Sequence, residues 1–354
     1  MQKRVLIPAK RPGNPFFESI IKHSSWQFVY GDVYTEITPY SVVLIHWPEQ
    51  LFGWKEPTEA QLFDLKQKFA IWKSSARVVY VLHNEQRHLG MTKRFRALYG
   101  LVIDNVDVMV HMGNYSLKKY VSLYPMLKHY KINHPLYTEP YIVYAKEEAR
   151  LQLGIKPEKK MVLVPGAIRH VNERRMILKA FKRLKLNNKL LVVPRILNKS
   201  YTFDFPGRYR LKPILDVNLV LKKWFKKKYN TEDYCFGYSF QDVKALSLYM
   251  SAADLVLIPR FNTLNSGNVF LGISFKKIVI GPETGNIGEV LKLFDFPVFN
   301  TTKVKGVTEA LYSGFQLLDK GYSYKETLLK AYDATNVSKE WDLFLSNLTK
   351  DSIL

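Results

Sequence analysis

A histidine, an asparagine and a glutamate stand in a row at His83, Asn84 and Glu85, directly after the strand-like run Arg77–Leu82, and His88 follows closely. A histidine at a strand end can take a proton from a hydroxyl or hold that hydroxyl in place. A structural histidine, hydrogen-bonded to a neighbouring loop, fits the same position. A second polar end comes after Val42–Ile45, where His46, Trp47 and Pro48 stop the apolar run. Near the start, Gly13 and Asn14 sit between a strand at Val5–Ile7 and a helix at Phe16–Ile21. Such a loop brings backbone N–H groups close to an anion or a sugar. The full GxGxxG spacing is missing, and an ordinary turn explains the loop equally well.

These residues need elements to hold them, and the clearest set lies at residues 254–289. Asp254 leads into the apolar run Leu255–Ile258, which Pro259 ends; a polar loop to Gly267, a helix at Asn268–Phe275, a strand at Ile278–Ile280, a Gly/Pro/Thr loop and a helix from Asn286 follow. Strand, loop, helix, repeated, is the grammar of a parallel α/β unit. Ligands in such sheets sit beyond the carboxyl ends of the strands, where both polar loops fall. The same grammar recurs along the chain. Helices are expected at Glu59–Lys73, Leu89–Leu98, Lys146–Leu153, Glu173–Leu184, Leu215–Lys228, Asp242–Ser251 and Gly306–Leu318, with strands at Val106–His111, Met161–Val164, Leu190–Val193, Tyr234–Phe236 and Val298–Phe299. Asn198–Lys212, aromatic and basic without a period, reads as an insertion or long loop. Trp341, Phe344, Leu345 and Leu348 recur at helical spacing, so a terminal helix must bury that stripe.

With 354 residues, 47% of them apolar, the chain has core material for two α/β domains. The formal charge of +22 predicts a positive field that draws in nucleotides, nucleic acid, phospholipid headgroups or phosphorylated substrates. Basic helices at residues 89–98 and 215–228 suit either solvent or an anionic membrane surface. Their lysines lack the interleaved aromatic platform on which bases stack, so no nucleic-acid partner is expected. The single cysteine, Cys235, excludes an intrachain disulfide and a cysteine-built metal centre, and fits a reducing, cytoplasmic location. No apolar segment has the length of a membrane span, and the start is too weakly apolar for a signal peptide.

Read together, HWP at His46–Pro48, VLHN at Val81–Asn84, HPLY at His134–Tyr137, EEARLQLGI from Glu147, PGAIRHVN from Pro165, AADLVLIPRFNTLNSG from Ala252 and PETGNIGEV from Pro282 make the chain similar to bacterial glycosyltransferases of the GT-B type. The likeness is to the surface-polysaccharide branch grouped with the retaining, mannosyltransferase-like families. It implies an α/β fold of two Rossmann-like domains with parallel sheets facing a central cleft: an acceptor-side domain over residues 1–158, a nucleotide-sugar domain over 159–330, and a C-terminal helix over 331–354 that packs back toward the first domain.

The resemblance implies that a UDP- or GDP-linked sugar lies in the cleft with no metal and no other cofactor. Its diphosphate would be met by Arg169, with Arg174 standing in for a lysine that has no match. Arginine suits that place because its fork binds phosphate oxygens bidentately. The paired acidic positions of many retaining relatives fall near Thr263 and Leu271, neither of them acidic. Asn265, Ser266 and Gly267 stand in that loop and can offer an amide, a hydroxyl and close N–H groups to the donor. Glu289 either takes over the ribose diol or caps its own helix. On the acceptor side the likeness brings in His83 and Glu85 as catalytic candidates, with His46, Asn84 and His88 nearby. The function so implied is sugar transfer to a glycan or polyprenyl-diphosphate-linked saccharide in surface polysaccharide synthesis, such as capsule or lipopolysaccharide, by a protein peripheral on the inner face of the membrane. Loss of the acidic pair leaves a second reading, an inactive nucleotide- or sugar-binding scaffold of the same fold.

Overall fold

A computed structural model describes residues 3–11, 13–87, 90–197, 217–229, 231–261 and 263–350; His88 and the segment 198–212 lie outside these. The first half runs β1 (Arg4–Ile7), α1 (Phe16–Ile21), β2 (Gln27–Tyr30), β3 (Val42–Ile45), a 3-10 turn at Pro48–Phe52, α2 (Glu59–Ser75), β4 (Arg77–Val81), α3 (Lys93–Asn105), β5 (Val108–His111), α4 (Asn114–Leu123) and β6 (Lys128–Lys131). Its six strands are all parallel in the order β2-β1-β3-β4-β5-β6.

The second half runs α5 (Lys146–Leu153), β7 (Lys160–Leu163), α6 (Val171–Arg183), β8 (Lys189–Val193), α7 (Val217–Lys228), β9 (Tyr234–Phe236), α8 (Val243–Ala252), β10 (Leu255–Leu257), α9 (Gly267–Ser274), β11 (Ile278–Pro282), α10 (Gly285–Leu293), β12 (Val298–Phe299), α11 (Val304–Asp319), α12 (Glu326–Tyr332) and α13 (Ala334–Lys350). This sheet is also parallel throughout, ordered β12-β11-β10-β7-β8-β9. The expected pair of parallel α/β lobes is therefore present. The order reverses between β1 and β3 in the first sheet and between β7 and β10 in the second. Open sheets of this kind bind ligands at such reversals.

The central strands are fully buried because helices cover both faces, and near-continuous apolar runs are what that environment selects. One face of the first sheet packs on α2 and α3 through Leu65, Phe69, Trp72, Phe95 and Leu98. The other packs on α1 and on α13, whose Val337, Trp341, Phe344 and Leu345 fill that core. The apolar stripe of the terminal helix is thus buried against the first lobe, and Ser338 Oγ donates to the Ile20 carbonyl. Ala149 of α5 belongs to the second core, so packing of the second lobe starts ahead of the expected boundary at 158.

Capping sets where two of these helices start: one shifts from the expected position, and the other begins at Glu59 as expected. Helix α3 begins at Lys93 rather than Leu89, since the Thr92 hydroxyl accepts from Phe95 N. Helix α2 opens on a capping box of Thr58 and Gln61.

One buried carboxylate ties the second lobe together. Asp254 accepts from Arg150 Nη2 at 2.8 Å, from Met161 N at 2.7 Å and from Lys146, which joins α5 to the start of β7 and β10. Removing its charge leaves a buried guanidinium uncompensated, a loss of about 3 kcal/mol. Asp254→Asn is expected to lower unfolding free energy by that order in urea titration, with α5 losing hydrogen-exchange protection first.

Candidate functional site

The carboxyl ends of both sheets meet across a cleft of about 1020 Å³. On the first lobe it is lined by Asn84, Glu85, Gln86, Arg87 and Gly90 from the loop after β4, and by Tyr115 at the head of α4. On the second it is lined by Arg169 to Glu173 at the head of α6, by Phe261, Thr263 and Leu264 after β10, and by Thr284 and Gly285 at the head of α10. Another depression, of about 860 Å³ around Ser41 and Arg77, lies at the amino ends of β3 and β4. Strand-end chemistry favours the first of these.

Arg169 lines the cleft, where the resemblance puts it. Burial, then the neighbouring Arg260, lower its guanidinium to about 10, so it stays charged at neutral pH. What holds this loop was not legible in the sequence. Glu173, 1% exposed, accepts from Arg169 N at 2.7 Å, His170 N at 3.3 Å and Arg260 Nη1 at 3.1 Å. Arg260 also donates to the Ala167 carbonyl from both terminal nitrogens. One arginine–glutamate pair therefore fixes the loop after β7, and with it the place of Arg169. A buried arginine just after a strand and a glutamate at the third position of a helix were the available signals. Arg174 is not among the cleft residues. It sits further along α6.

The loop Asn265–Gly267 is a correction. Asn265, 8% exposed, donates from Nδ2 to the carbonyls of His83 at 2.7 Å and Leu82 at 3.3 Å, and accepts from Asn286 Nδ2 at 2.9 Å. Its amide is spent on joining the lobes, and Leu264 beside it enters the first lobe's core. A Cβ on Gly267 would meet the Tyr137 hydroxyl at 2.8 Å, so this glycine serves packing. Ser266 stands outside the cleft at the cap position of α9.

Glu289 is neither free for a ribose nor a cap for its own helix. Its carboxylate accepts from Asn114 N at 2.9 Å, Asn114 Nδ2 at 2.8 Å and Tyr115 N at 2.7 Å. Asn286 Oδ1 accepts from Ser116 N at 3.0 Å. Side chains of the second lobe thus cap α4 of the first, occupying N–H groups that a helix start leaves without internal partners.

On the acceptor side, Asn84 and Glu85 reach the cleft but His83 and His46 do not. The His83 ring, 6% exposed, lies among Phe16, His46 and Trp47, with the His46 centroid 3.7 Å away. His46, 4% exposed, accepts from Trp47 Nε1, and burial, then His134, push its pKa well below the usual histidine value. Aromatic packing has drawn both rings into the lobe. Glu85 has both oxygens on Lys119 Nζ, at 2.8 and 2.9 Å, and forms an ion pair with it. Gly13 stands in open space, and Asn14 Oδ1 accepts from Phe16 N to start α1; neither is a cleft residue. Thr263 reaches the cleft, its hydroxyl donating to the Phe261 carbonyl, whereas Leu271 is core.

No family model matches the chain, and a search of curated proteins finds no match either. Solved structures do match. Anabaena HepE, determined in complex with UDP-glucose, superposes with a TM-score of 0.59 at 11% identity, covering 99% of this chain and 99% of that one. Sucrose-phosphate synthase from Thermosynechococcus elongatus gives 0.53 at 14% identity over 88% of this chain and 72% of that one. The trehalose 6-phosphate synthase of Burkholderia multivorans gives 0.53 at 11% over 88% and 71%. With its two six-stranded parallel sheets, the chain has the GT-B fold.

Two outcomes follow from the geometry. Truncating Glu289→Ala strips the head of α4 of an anionic cap, an expected loss of about 2 kcal/mol. Faster amide exchange at residues 114–116 is the local readout. His134, stacked on Phe270 at 3.9 Å, has its pKa lowered to about 3 by burial. Between that value and the unfolded 6.5 the unfolded chain binds the extra proton, so stability is full above pH 6.5 and falls as the solution is acidified. At pH 5 this one group removes about 2 kcal/mol. A His134→Gln variant should show a flatter melting profile between pH 7 and pH 5.

Proposed function

We propose that this chain is a glycosyltransferase that moves a sugar from a nucleoside-diphosphate sugar, UDP-linked in the first instance, to a saccharide acceptor. One observation carries the reading. Arg169 and the head of α6 face the cleft at the strand-order reversal of the second lobe, where an anion gains from both the guanidinium and the helix N–H groups. The complexes of HepE with UDP-glucose and with UDP support the choice of donor class.

Chemically, the leaving diphosphate gathers negative charge as the glycosidic bond breaks, and preorganised cations at that place lower the barrier most. Arg169 supplies such a charge, held by the Glu173–Arg260 pair. Acid–base work by carboxylates is slight in this reading, because Glu85 is held by Lys119 and Glu173 by Arg260. No metal is required by this scheme.

The acceptor we assign is a lipid-linked saccharide of surface polysaccharide synthesis. Past Tyr115 at the cleft, α4 and the turn after it expose Val121, Leu123 and Met126, the last 96% exposed, and the same stretch of chain carries the exposed Lys118 and Lys128. Exposed apolar side chains together with lysines suit the face of an anionic bilayer. Among the described residues no helix is long and apolar enough to cross a membrane. The scaffold reading draws on the same tied carboxylates, and transfer of radiolabelled sugar to a membrane extract separates the two. Arg169→Gln is expected to weaken UDP binding at least about tenfold in calorimetry and to slow transfer from the UDP-sugar; equal affinity in the two proteins counts against the donor assignment.

A further inference from the structure

The cleft carries a second cation that the donor reading leaves unused. Arg87, in the loop after β4, lines the first lobe's wall, across from Arg169. Its guanidinium carbon lies 4.1 Å from the centroid of the Phe95 ring, and Phe95 is itself 2% exposed. That cation–π contact holds the guanidinium against the wall of the lobe.

Two carboxylates lie nearby, and neither forms an ion pair with it. Glu85 has both oxygens on Lys119. Glu49, in the turn after β3, is 0% exposed, and neither of its oxygens has a hydrogen-bond partner of normal geometry. Burial raises its pKa, with Tyr99 and Arg87 acting the other way. Among the described residues no carboxylate lies within ion-pair distance of Arg87. The wall therefore presents a guanidinium flanked by Asn84 and Gln86, and the planar fork of an arginine can receive an oxyanion in bidentate fashion.

We propose that Arg87 recognises a phosphate group on the acceptor, so that the acceptor class is a phosphate-bearing saccharide rather than a neutral glycan. This rests on the cleft being the transfer site, with Arg169 serving the donor. A soluble sugar phosphate and a lipid-linked diphosphate share the chemistry, and the test has an arm for each.

The full chain is saturated with UDP and titrated calorimetrically with glucose 6-phosphate and, separately, with farnesyl diphosphate. At least one probe is expected to bind the unaltered protein, and Arg87→Gln to weaken it about tenfold or more while UDP affinity stays within about twofold. Arg87→Lys, which keeps the charge but not the flat fork, should give an intermediate loss, and it decides the matter if the glutamine variant does not fold. Preference for glucose 6-phosphate assigns a soluble acceptor, and preference for farnesyl diphosphate a lipid-linked one. The proposal is overturned if neither probe binds, if Arg87→Gln binds them as before, or if that change weakens UDP instead. Should UDP fail to bind the unaltered protein, the donor reading falls by itself; the same titrations without UDP still test Arg87.

Discussion

The capping of α4 by side chains of α10 sets how the two lobes meet. A helix start has N–H groups without internal acceptors, and here those of residues 114, 115 and 116 are met by Glu289 and Asn286 from the other sheet. Each bond contributes about 1 kcal/mol, and more where the acceptor is charged. Directionality matters as much as energy, since backbone donors fix the approach more tightly than flexible side chains do. Gly113 fits the contact, because a Cβ there would lie 2.7 Å from the Asn286 side chain. The loop before α10 adds Asn265 on the His83 carbonyl and Leu264 in the first lobe's core.

This contact also sets the cleft. Helix α4 carries Tyr115 into the wall and Lys119 onto Glu85, so whatever places α4 places the acceptor side as well. The cap also excludes a role for Glu289. A carboxylate already taking three donors has little left for a ribose diol. The same competition explains Asn265, whose four hydrogen-bonding sites are largely spent between the lobes.

What the sequence revealed follows from burial. Strands covered on both faces, such as Val42–Ile45 and Ile278–Pro282, appear as apolar runs and were legible. The edge strands β2 (QFVY) and β6 (KHYK) were not, because half-exposed residues break the run and the register comes from the neighbouring strand. Arg169 follows a strand and lines the cleft, a placement that its position after the apolar run Met161–Val164 makes visible in the sequence. Asn265, Glu289 and His83 were misplaced for one reason: polar residues at strand ends can serve a ligand or another lobe, and only tertiary contact decides. Sequence spacing cannot show that Glu289 reaches residue 114, nor that aromatic rings enclose His83.

Electrostatics of the cleft follow from pairing rather than from totals. Counted by residue type, its ionisable lining is balanced, with Glu85 and Glu173 against Arg87 and Arg169. Yet Glu85 is met by Lys119, and Glu173 by Arg260 and two backbone N–H groups, so each carboxylate has a cation of its own besides the two cleft arginines. Two guanidiniums, one per lobe, then dominate the space between the sheets. The chain's +22 charge contributes little to that local sign, because exposed lysines are screened over about 8–10 Å in physiological salt. A cleft made positive by pre-satisfied carboxylates keeps its cations oriented before any ligand arrives. Charge oriented in advance lowers a barrier instead of merely holding a substrate.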